Sequence, residues 1–481
     1  MATFMATFLS CVLCAHLLCH GSLAQLPMGQ GQQPYPARRL WEQSECRVER
    51  LQAVEPSRRV QCEAGVMEYW DQNDEQFQCA GVAPFRTTIQ PGGLLLPYFS
   101  NSPRLIYVVQ GSGISGLVIP GCPETYQSFQ QFHQLEERGP EQRFRDQHQR
   151  IHHFRQGDIV AEPAGMAAWF YNHGDTPVVT ITVADTSSHA NQLDPRLRMF
   201  QLAGQQRREP YGRQAGASGE EETSGNIFSG FDVEMLAEAF GVSRETAMKL
   251  QSRDDRRGNI VRVEMGLQVL RPEQTRSYEP VEEEKEHRRR GANGLEEAFC
   301  TARYRENIGD ARRADVYNPR AGRMTTLNSQ KLLILRSIQM SVERGVLHRN
   351  AHFVPHWNIN AHSILYVLRG RCRLQISGPL QASARFDREV RQGQMVVIPQ
   401  NFAVTALAVS TENFEWVSFK TNDNAMVSPL AGKASIFRGL PDAVIQNSYR
   451  ISREEARRIK YNRGEELLLL QPTAQGVRAS A

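Results

Sequence analysis

The residues with the clearest chemical potential in this chain are its cysteines. The sequence holds nine, and Cys11, Cys14 and Cys19 fall in an N-terminal segment that we expect to be removed. The other six can form disulfides in an oxidising compartment, and six cysteines allow fifteen complete pairings. None of these six lies at a zinc-site spacing such as Cys-x-x-Cys, so we expect no metal at Cys46, Cys62, Cys79, Cys122, Cys300 or Cys372.

A second kind of chemistry, cleavage of the backbone, is indicated by the Asn293-Gly294 step. Residues 271–293 carry an acidic block followed by three arginines, which cannot support a core, so we expect them to be exposed to proteases. A cut after Asn293 would separate residues 1–293, with a formal charge of −6, from residues 294–481, with +10. Cys300 lies seven residues further on, where a disulfide would keep the products joined.

Enzyme chemistry has little support in the sequence. Nucleophile-elbow, phosphate-loop and paired-carboxylate patterns are missing. We interpret Asp254-Asp255 and residues 282–286 as solvated charge. The histidines have no partner at a metal-ligand spacing, and we expect surface or loop positions for His152, His153, His348, His352 and His362.

Composition and the N-terminus place the chain in a secreted, globular class. Apolar residues make up 40% of the 481 residues, which is typical of globular proteins. Phe8–Leu18 is an apolar run too short to span a membrane, and Ser22-Leu23-Ala24 follows it, so residues 1–24 are predicted to be a signal peptide. Fifty of the 56 basic residues are arginine, scattered among acids, which favours a solvated surface over nucleic-acid binding. We expect no membrane contact.

The elements that must position these residues occur twice. Residues 104–113 resemble 363–372, and 155–163 resemble 391–399. Residues 227–231 and 242–250 likewise match 436–440 and 451–459. The first copy carries extra residues. We place them in the polar stretches near 126–150 and 204–225, which we expect to be mobile surface loops.

Each copy has the same order of elements. Short β-rich runs separated by Gly and Pro predict antiparallel strands, at Leu105–Val109, Ile159–Val160, Val178–Val183, Ile364–Leu368, Met395–Ile398 and Phe414–Phe419. A helical pair follows, with Asp232, Ser243, Pro441 and Ser452 as start signals. We therefore predict a mainly β protein, with two tandem jelly-roll barrels that each carry a short helical extension. Met235, Leu236 and Phe240 form an apolar stripe. We expect this stripe to pack either on its own barrel or on a neighbouring subunit.

The barrel blocks resemble the cupin pattern, in which two histidines, a glutamate and a third histidine hold a divalent metal. The matching positions of the first copy hold Tyr98, Ser100, Arg104 and Ala168. Those of the second copy hold His356, Asn358, Ser363 and Val404. Each barrel therefore has no more than one histidine at these positions, which is too few to hold a catalytic metal, and the positive charge of Arg104 would repel a metal ion. We expect no metal, no cofactor and no enzymatic activity.

Nearly all of residues 40–470 resembles the 11S globulins, the legumin-type seed storage proteins. The resemblance rests on Asn293-Gly294, Glu296-Glu297, Phe299-Cys300-Thr301 and Ala314-Asp315, and on residues 79–82, 226–231 and 254–264. It implies two tandem cupin barrels and a nutrient reservoir in the seed's protein storage vacuole, reached through the secretory pathway. It also implies trimers of the precursor, and hexamers after an asparaginyl endopeptidase has cut at Asn293-Gly294. The products are the acidic chain 25–293 and the basic chain 294–481.

The same resemblance implies the disulfides Cys46–Cys79 and Cys122–Cys300, the second joining the two chains across the cut. It offers no partner for Cys62 and Cys372, which we expect to be free thiols. Two alternatives stay open at this point. A metal-dependent cupin enzyme would contain stoichiometric metal, and a small-molecule-binding cupin would need a pocket with convergent polar groups inside a barrel.

Overall fold

A computed structural model describes residues 46, 48, 50–122, 148–205, 225–252, 254–267, 300–378, 386–409 and 412–471. All of them lie in the unit Leu40–Ala481. The predicted signal peptide (1–24), the Asn293-Gly294 step, residues 271–293 and nearly all of the predicted loops 126–150 and 204–225 lie outside the described residues.

The first barrel is built from two antiparallel sheets. Its strands are β1 Arg58–Cys62, β2 Gly65–Tyr69, β3 Val82–Ile89, β4 Gly93–Ser100, β5 Arg104–Gln110, β6 Ser112–Val118, β7 Ile151–Arg155, β8 Asp158–Glu162, β9 Ala167–Tyr171, β10 Val178–Asp185, β11 Met199–Gln201, β12 Ile260–Arg262 and β13 Arg305–Asn307. One sheet has the order β1-β2-β3-β10-β5-β8-β13. The other has the order β11-β4-β9-β6-β7, with β12 beside β4. Helix α1, Glu75–Ala80, precedes β3.

The second barrel repeats this plan. Its strands are β14 Val316–Asn318, β15 Gly322–Leu327, β16 Ser341–Leu347, β17 His352–Asn358, β18 Ser363–Arg369, β19 Arg371–Ser377, β20 Phe386–Arg391, β21 Met395–Ile398, β22 Ala403–Ala408, β23 Phe414–Lys420, β24 Val427–Pro429 and β25 Leu469–Leu470. The sheets are β14-β15-β16-β23-β18-β21 and β20-β19-β22-β17-β24, with β25 beside β17. The alternating burial along β19 shows why this stretch forms a strand with one face on the core. Cys372, Leu374 and Ile376 face the core, whereas the residues between them face solvent. The predicted fold class is confirmed.

The remaining helices are α2 Val233–Phe240, α3 Arg244–Gln251, α4 Leu335–Ile338, α5 Ile436–Gly439, α6 Asp442–Tyr449 and α7 Arg453–Tyr461. Four of them, α2, α3, α6 and α7, begin directly after the predicted start signals, whereas α4 and α5 were not predicted. Asp232 and Ser243 accept hydrogen bonds from the first turns of α2 and α3, and Ser452 forms a capping box with Glu455. Within the described residues, no helix is long and apolar enough to cross a membrane.

The two copies exchange strands. β13 comes after the predicted cut, yet it pairs with β8 of the first barrel, with Glu306 opposite Ile159. In return Val54, from the N-terminal side, forms a bridge with Met395 of the second barrel, with both backbone hydrogen bonds at 2.8–2.9 Å. Arg305–Asn307 therefore belong to the first barrel although they follow the predicted cut, because their backbone groups complete its sheet.

The helical pairs expose much of their apolar surface. Leu236 is buried, but Met235 is 68% and Phe240 is 53% exposed. Of the two packing alternatives for this stripe, packing on its own barrel therefore fails for Met235 and Phe240. The second pair exposes Val444, Tyr449 and Ile459 in the same way.

Candidate functional site

The four cupin-position residues of the first barrel meet inside it. Tyr98 and Ser100 end β4, Arg104 begins β5, and Ala168 on β9 lies directly opposite Tyr98. All four side chains are buried. The hydroxyl of Ser100 donates to the backbone oxygen of Ser102 at 2.7 Å, so it is engaged locally. Because Tyr98 lies opposite Ala168, the ligand positions of the first and second cupin motifs meet inside the barrel, which supports the alignment of both motifs.

A buried ion pair occupies this place. The Arg104 guanidinium donates to the Glu162 carboxylate at 2.5 Å, and both side chains are at most 2% exposed. The guanidinium also lies 4.6 Å from the centre of the Tyr98 ring, whose hydroxyl is 3.5 Å from Glu162. Burial raises the pKa of Glu162, and Arg104 opposes this shift. Sequence reasoning missed Glu162, which lies within the repeated block 155–163.

The second barrel brings its four positions together in the same way. His356 and Asn358 lie on β17, Ser363 begins β18, and Val404 on β22 is paired with His356. His356 Nδ1 donates to the backbone oxygen of Val354 at 2.8 Å, which leaves Nε2 as the unprotonated nitrogen. Burial lowers the pKa of His356 to about 4, so the ring is neutral at physiological pH.

A buried lysine completes this second cluster. The Lys420 ammonium donates to Asn358 Oδ1 at 2.9 Å and lies 3.8 Å from Glu343 Oε2. Trp416 Nε1 donates to the other Glu343 oxygen at 3.2 Å. Burial lowers the pKa of Lys420, and Glu343 opposes this shift. Lys420 and Glu343 were also missed, because neither lies in a motif that the cupin pattern names.

These donor sets do not fit a divalent metal. The first barrel offers a phenol and a cation where imidazoles and a carboxylate would be needed, and its one carboxylate is bound to Arg104. The second barrel offers one imidazole beside an ammonium. Among the described residues, no group of three or more His, Cys, Asp and Glu side chains is placed to hold a metal ion. No catalytic step through a metal follows from these residues.

A small cavity lies inside the first barrel. It has a volume of about 20 Å³ and is lined mainly by apolar residues, with Tyr98 and Gln201 among its polar ones. A water molecule needs about 10–15 Å³, whereas small-molecule pockets span roughly 300–1,000 Å³. This cavity can therefore hold a single water beside Tyr98, but it is too small for an organic ligand.

The histidine predictions need a correction. His152 and His153 lie on β7 and His352 lies on β17, and all three are half-buried rather than on the surface or in loops. His348 and His362, which do lie between strands, are half-buried too. Burial, followed by the charges of Arg150 and Arg305, lowers the pKa of His152 to about 3.

His152 and His153 line an open groove of about 910 Å³ between β7 and the segment around β13. Arginines dominate its charge, but Arg305 is bound to buried Asp158 at 2.6 Å, and Arg303 and Arg313 contact Glu306. Of these ion pairs, Arg305–Asp158 joins the segment after the predicted cut to the first barrel, whereas the other two lie within that segment. The groove is therefore part of the contact between the first barrel and this segment.

The cysteines form the two pairs that the resemblance implies. Cys46 is bonded to Cys79, with 4.5 Å between their Cα atoms, and Cys122 is bonded to Cys300, with 5.4 Å. Cys62 and Cys372 are free and buried. Burial raises the pKa of both thiols, which keeps them protonated and unreactive. Asn293 and Gly294 lie outside the described residues.

Comparison with known proteins agrees with this architecture. The family model described as Cupin matches residues 51–208 and 306–457, one segment for each barrel. Cocosin 1 of Cocos nucifera is 53% identical over 472 residues, which cover 97% of this chain and 98% of that protein. The 11S globulin seed storage protein Ana o 2.0101 of Anacardium occidentale is 48% identical, with 98% and 100% covered. The crystal structure of the coconut allergen cocosin matches with a TM-score of 0.77 and 52% identity, over 89% of this chain and all of that one.

Two jelly-roll barrels in tandem, each with a buried ion pair near the cupin ligand positions, define a bicupin. The sequence identity to full-length relatives, 53% and 48%, also defines the subfamily. The chain belongs to the cupin family and, within it, to the 11S globulins, the legumin-type seed storage proteins.

Proposed function

We propose that this chain is a non-catalytic nutrient reservoir, which stores nitrogen and carbon in the seed. The observation that carries the proposal is a buried ion pair where each barrel would need a metal-ligand set, Arg104–Glu162 in the first and Lys420–Glu343 in the second, in a chain whose full-length relatives are storage globulins. Of the 56 basic residues, 50 are arginine. Because each arginine side chain contains three nitrogen atoms, this composition is rich in nitrogen.

The storage role predicts that the protein disappears when the seedling grows. Seeds labelled with ¹⁵N during filling are expected to lose most of this protein during early seedling growth, with the label recovered in new seedling protein. Quantitative mass spectrometry of cotyledon or endosperm extracts measures both quantities, and a labelled housekeeping enzyme serves as the control. Persistence of the intact protein through seedling growth would contradict the reservoir role.

Processing is part of the proposal. The chain is made as a precursor, enters the secretory pathway and reaches the protein storage vacuole, where an asparaginyl endopeptidase cuts Asn293-Gly294. Two features support this. The cysteines on either side of the cut, Cys122 and Cys300, are bonded. The chains are also interleaved, since β13 completes the first barrel's sheet and Val54 pairs with the second, so a cut leaves the fold held together.

We further propose that the precursor assembles into trimers through its helical pairs, and into hexamers after the cut. Helices α2 and α3 together bear three acidic and two basic side chains, whereas α6 and α7 together bear three acidic and four basic ones. Both helical pairs expose apolar residues. A contact between α2–α3 of one subunit and α6–α7 of the next therefore matches charge and buries apolar surface, and three such head-to-tail contacts close a ring.

The assembly proposal predicts a loss of trimers when the exposed stripe becomes charged. The variant Met235→Asp/Phe240→Asp is expected to sediment as a monomer at concentrations at which the unaltered precursor sediments as a trimer. Removing each apolar side chain takes away about 1.5–3 kcal/mol of stabilisation by burial at each contact. The new aspartates face solvent in the free subunit, which favours the monomer. Sedimentation velocity measures the outcome. Met265→Asp, at a residue that is 88% exposed and distant in sequence, is the control, and a trimeric stripe variant would contradict the proposed contact.

A further inference from the structure

The open groove beside β7 has more arginines than carboxylates. Five arginine and three acidic side chains line it, so two formal positive charges are in excess. The ion pairs of the groove do not remove this excess. Glu306 alone serves both Arg303 and Arg313, and Arg305 takes up the charge of Asp158.

The excess charge lies at the two ends of β7, on Arg150 and Arg155. Both side chains line the groove and are exposed, and none of the described residues forms an ion pair with either guanidinium group. Their charge extends into the groove, since Arg150 contributes with Arg305, after the larger effect of burial, to the lowered pKa of His152. A cleft lined by unpaired charge of one sign concentrates ions of the opposite sign.

The dimensions of the groove limit the kind of anion that fits. Arg150 and Arg155 are about 16 Å apart along the chain, because extended backbone rises about 3.3 Å per residue. This spacing favours an anion whose charges are spread over several groups. The volume of about 910 Å³ lies within the range of roughly 300–1,000 Å³ that is usual for small-molecule sites.

We propose that this groove binds a small anion with several phosphate groups, held by Arg150 and Arg155 and contacted from the opposite wall by Arg303 and Arg313. The planar guanidinium group matches phosphate because it donates two parallel hydrogen bonds to it. Arg150 and Arg155 precede the predicted cut, whereas Arg303 and Arg313 follow it. The bound anion would therefore connect residues on both sides of the cut, and its binding does not depend on the reservoir role.

The test uses the full-length chain at pH 7, with tripolyphosphate as the probe and titration calorimetry as the measurement. One anion is expected to bind per chain, and Arg150→Gln/Arg155→Gln should weaken binding by about tenfold or more. Arg349→Gln/Arg388→Gln is the matched control. It removes two exposed arginines of the second barrel that do not line the groove, and it should change the affinity by less than about twofold.

Two further variants and a second probe separate the outcomes. Arg150→Lys/Arg155→Lys keeps both charges and should retain more of the affinity than the glutamine variant does. Inorganic phosphate should bind more weakly than tripolyphosphate to the unaltered protein. Replacing the four glutamates of residues 282–286 by glutamine should leave the affinity for tripolyphosphate unchanged.

Several results would overturn the proposal. The unaltered protein could fail to bind tripolyphosphate, or the groove and control variants could lose affinity equally, which would indicate unspecific attraction to the surface. Equal affinities for phosphate and tripolyphosphate would exclude an anion that spans the groove. A large gain in affinity when the glutamates of residues 282–286 are neutralised would show that the chain's own carboxylates, rather than a small anion, occupy the groove.

Discussion

A Cys122→Ser variant, once cut at Asn293-Gly294, is expected to separate into two chains on a denaturing gel without reductant, yet to migrate as one particle under native conditions. After such a cut, the disulfide Cys122–Cys300 would be the covalent link between residues 25–293 and 294–481. The native contact does not depend on it alone. β13 of the basic chain is paired with β8, Val54 of the acidic chain is bonded to Met395, and Arg344 donates to the Tyr107 hydroxyl at 2.9 Å.

The unaltered protein and a second variant make this result specific. The cut protein should give one band without reductant and two with it. The variant Asn293→Gln/Cys122→Ser should give one band under both conditions, because its backbone is intact. In that uncut form, loss of the link should also lower the free energy of unfolding by about 5 kcal/mol, the chain-entropy value for a separation of 178 residues. Release of the basic chain from cut Cys122→Ser in native size-exclusion chromatography would contradict the interleaved contact.

Local features of this fold could be predicted from the sequence, and nonlocal ones could not. Asp232, Ser243 and Ser452 cap helices through bonds to residues two or three positions away, so short stretches of sequence contain the whole cause. The exchange of Val54 and β13 between barrels depends on which sheet edge is free after folding, and no short stretch determines that. The sequence accordingly predicted both barrels, but not that each is completed by the other half of the chain.

The candidate site shows the same limit, although one signal was present. The repeated blocks 155–163 and 391–399 differ at Glu162 and Ile398, so the carboxylate occurs in the copy that has Arg104 and is missing from the copy that has Ser363. Comparing all differences between the copies would have indicated this pair. The partner of Lys420 gives no such signal, because Glu343 lies on a strand for which the repeat alignment has no matching block.

Replacing Arg104 by methionine is expected to destabilise the first barrel by about 3–5 kcal/mol, the cost of leaving a buried carboxylate without its partner. Methionine keeps most of the volume of the arginine stem, so Glu162 is the main group affected. The midpoint of guanidinium-induced unfolding at pH 7 measures the loss. Arg104→Met/Glu162→Leu should recover most of it, because neither charge then remains buried. Arg198→Met, which breaks an exposed pair with Asp194, should change the midpoint little.

The pH dependence of the same variant identifies the carboxylate as the cause. Burial raises the pKa of Glu162, and removing Arg104 takes away the charge that opposes this shift. The folded variant then binds a proton more tightly than the unfolded chain does. Its stability deficit is therefore smallest below the unfolded-state pKa of Glu162, and it grows to its full size as pH rises through the higher folded-state pKa. Arg104→Met/Glu162→Leu lacks this group, so of the three proteins its stability should change least with pH between pH 4 and pH 8. A deficit of Arg104→Met that is independent of pH would instead mean that lost packing, not the unpaired charge of Glu162, destabilises the barrel.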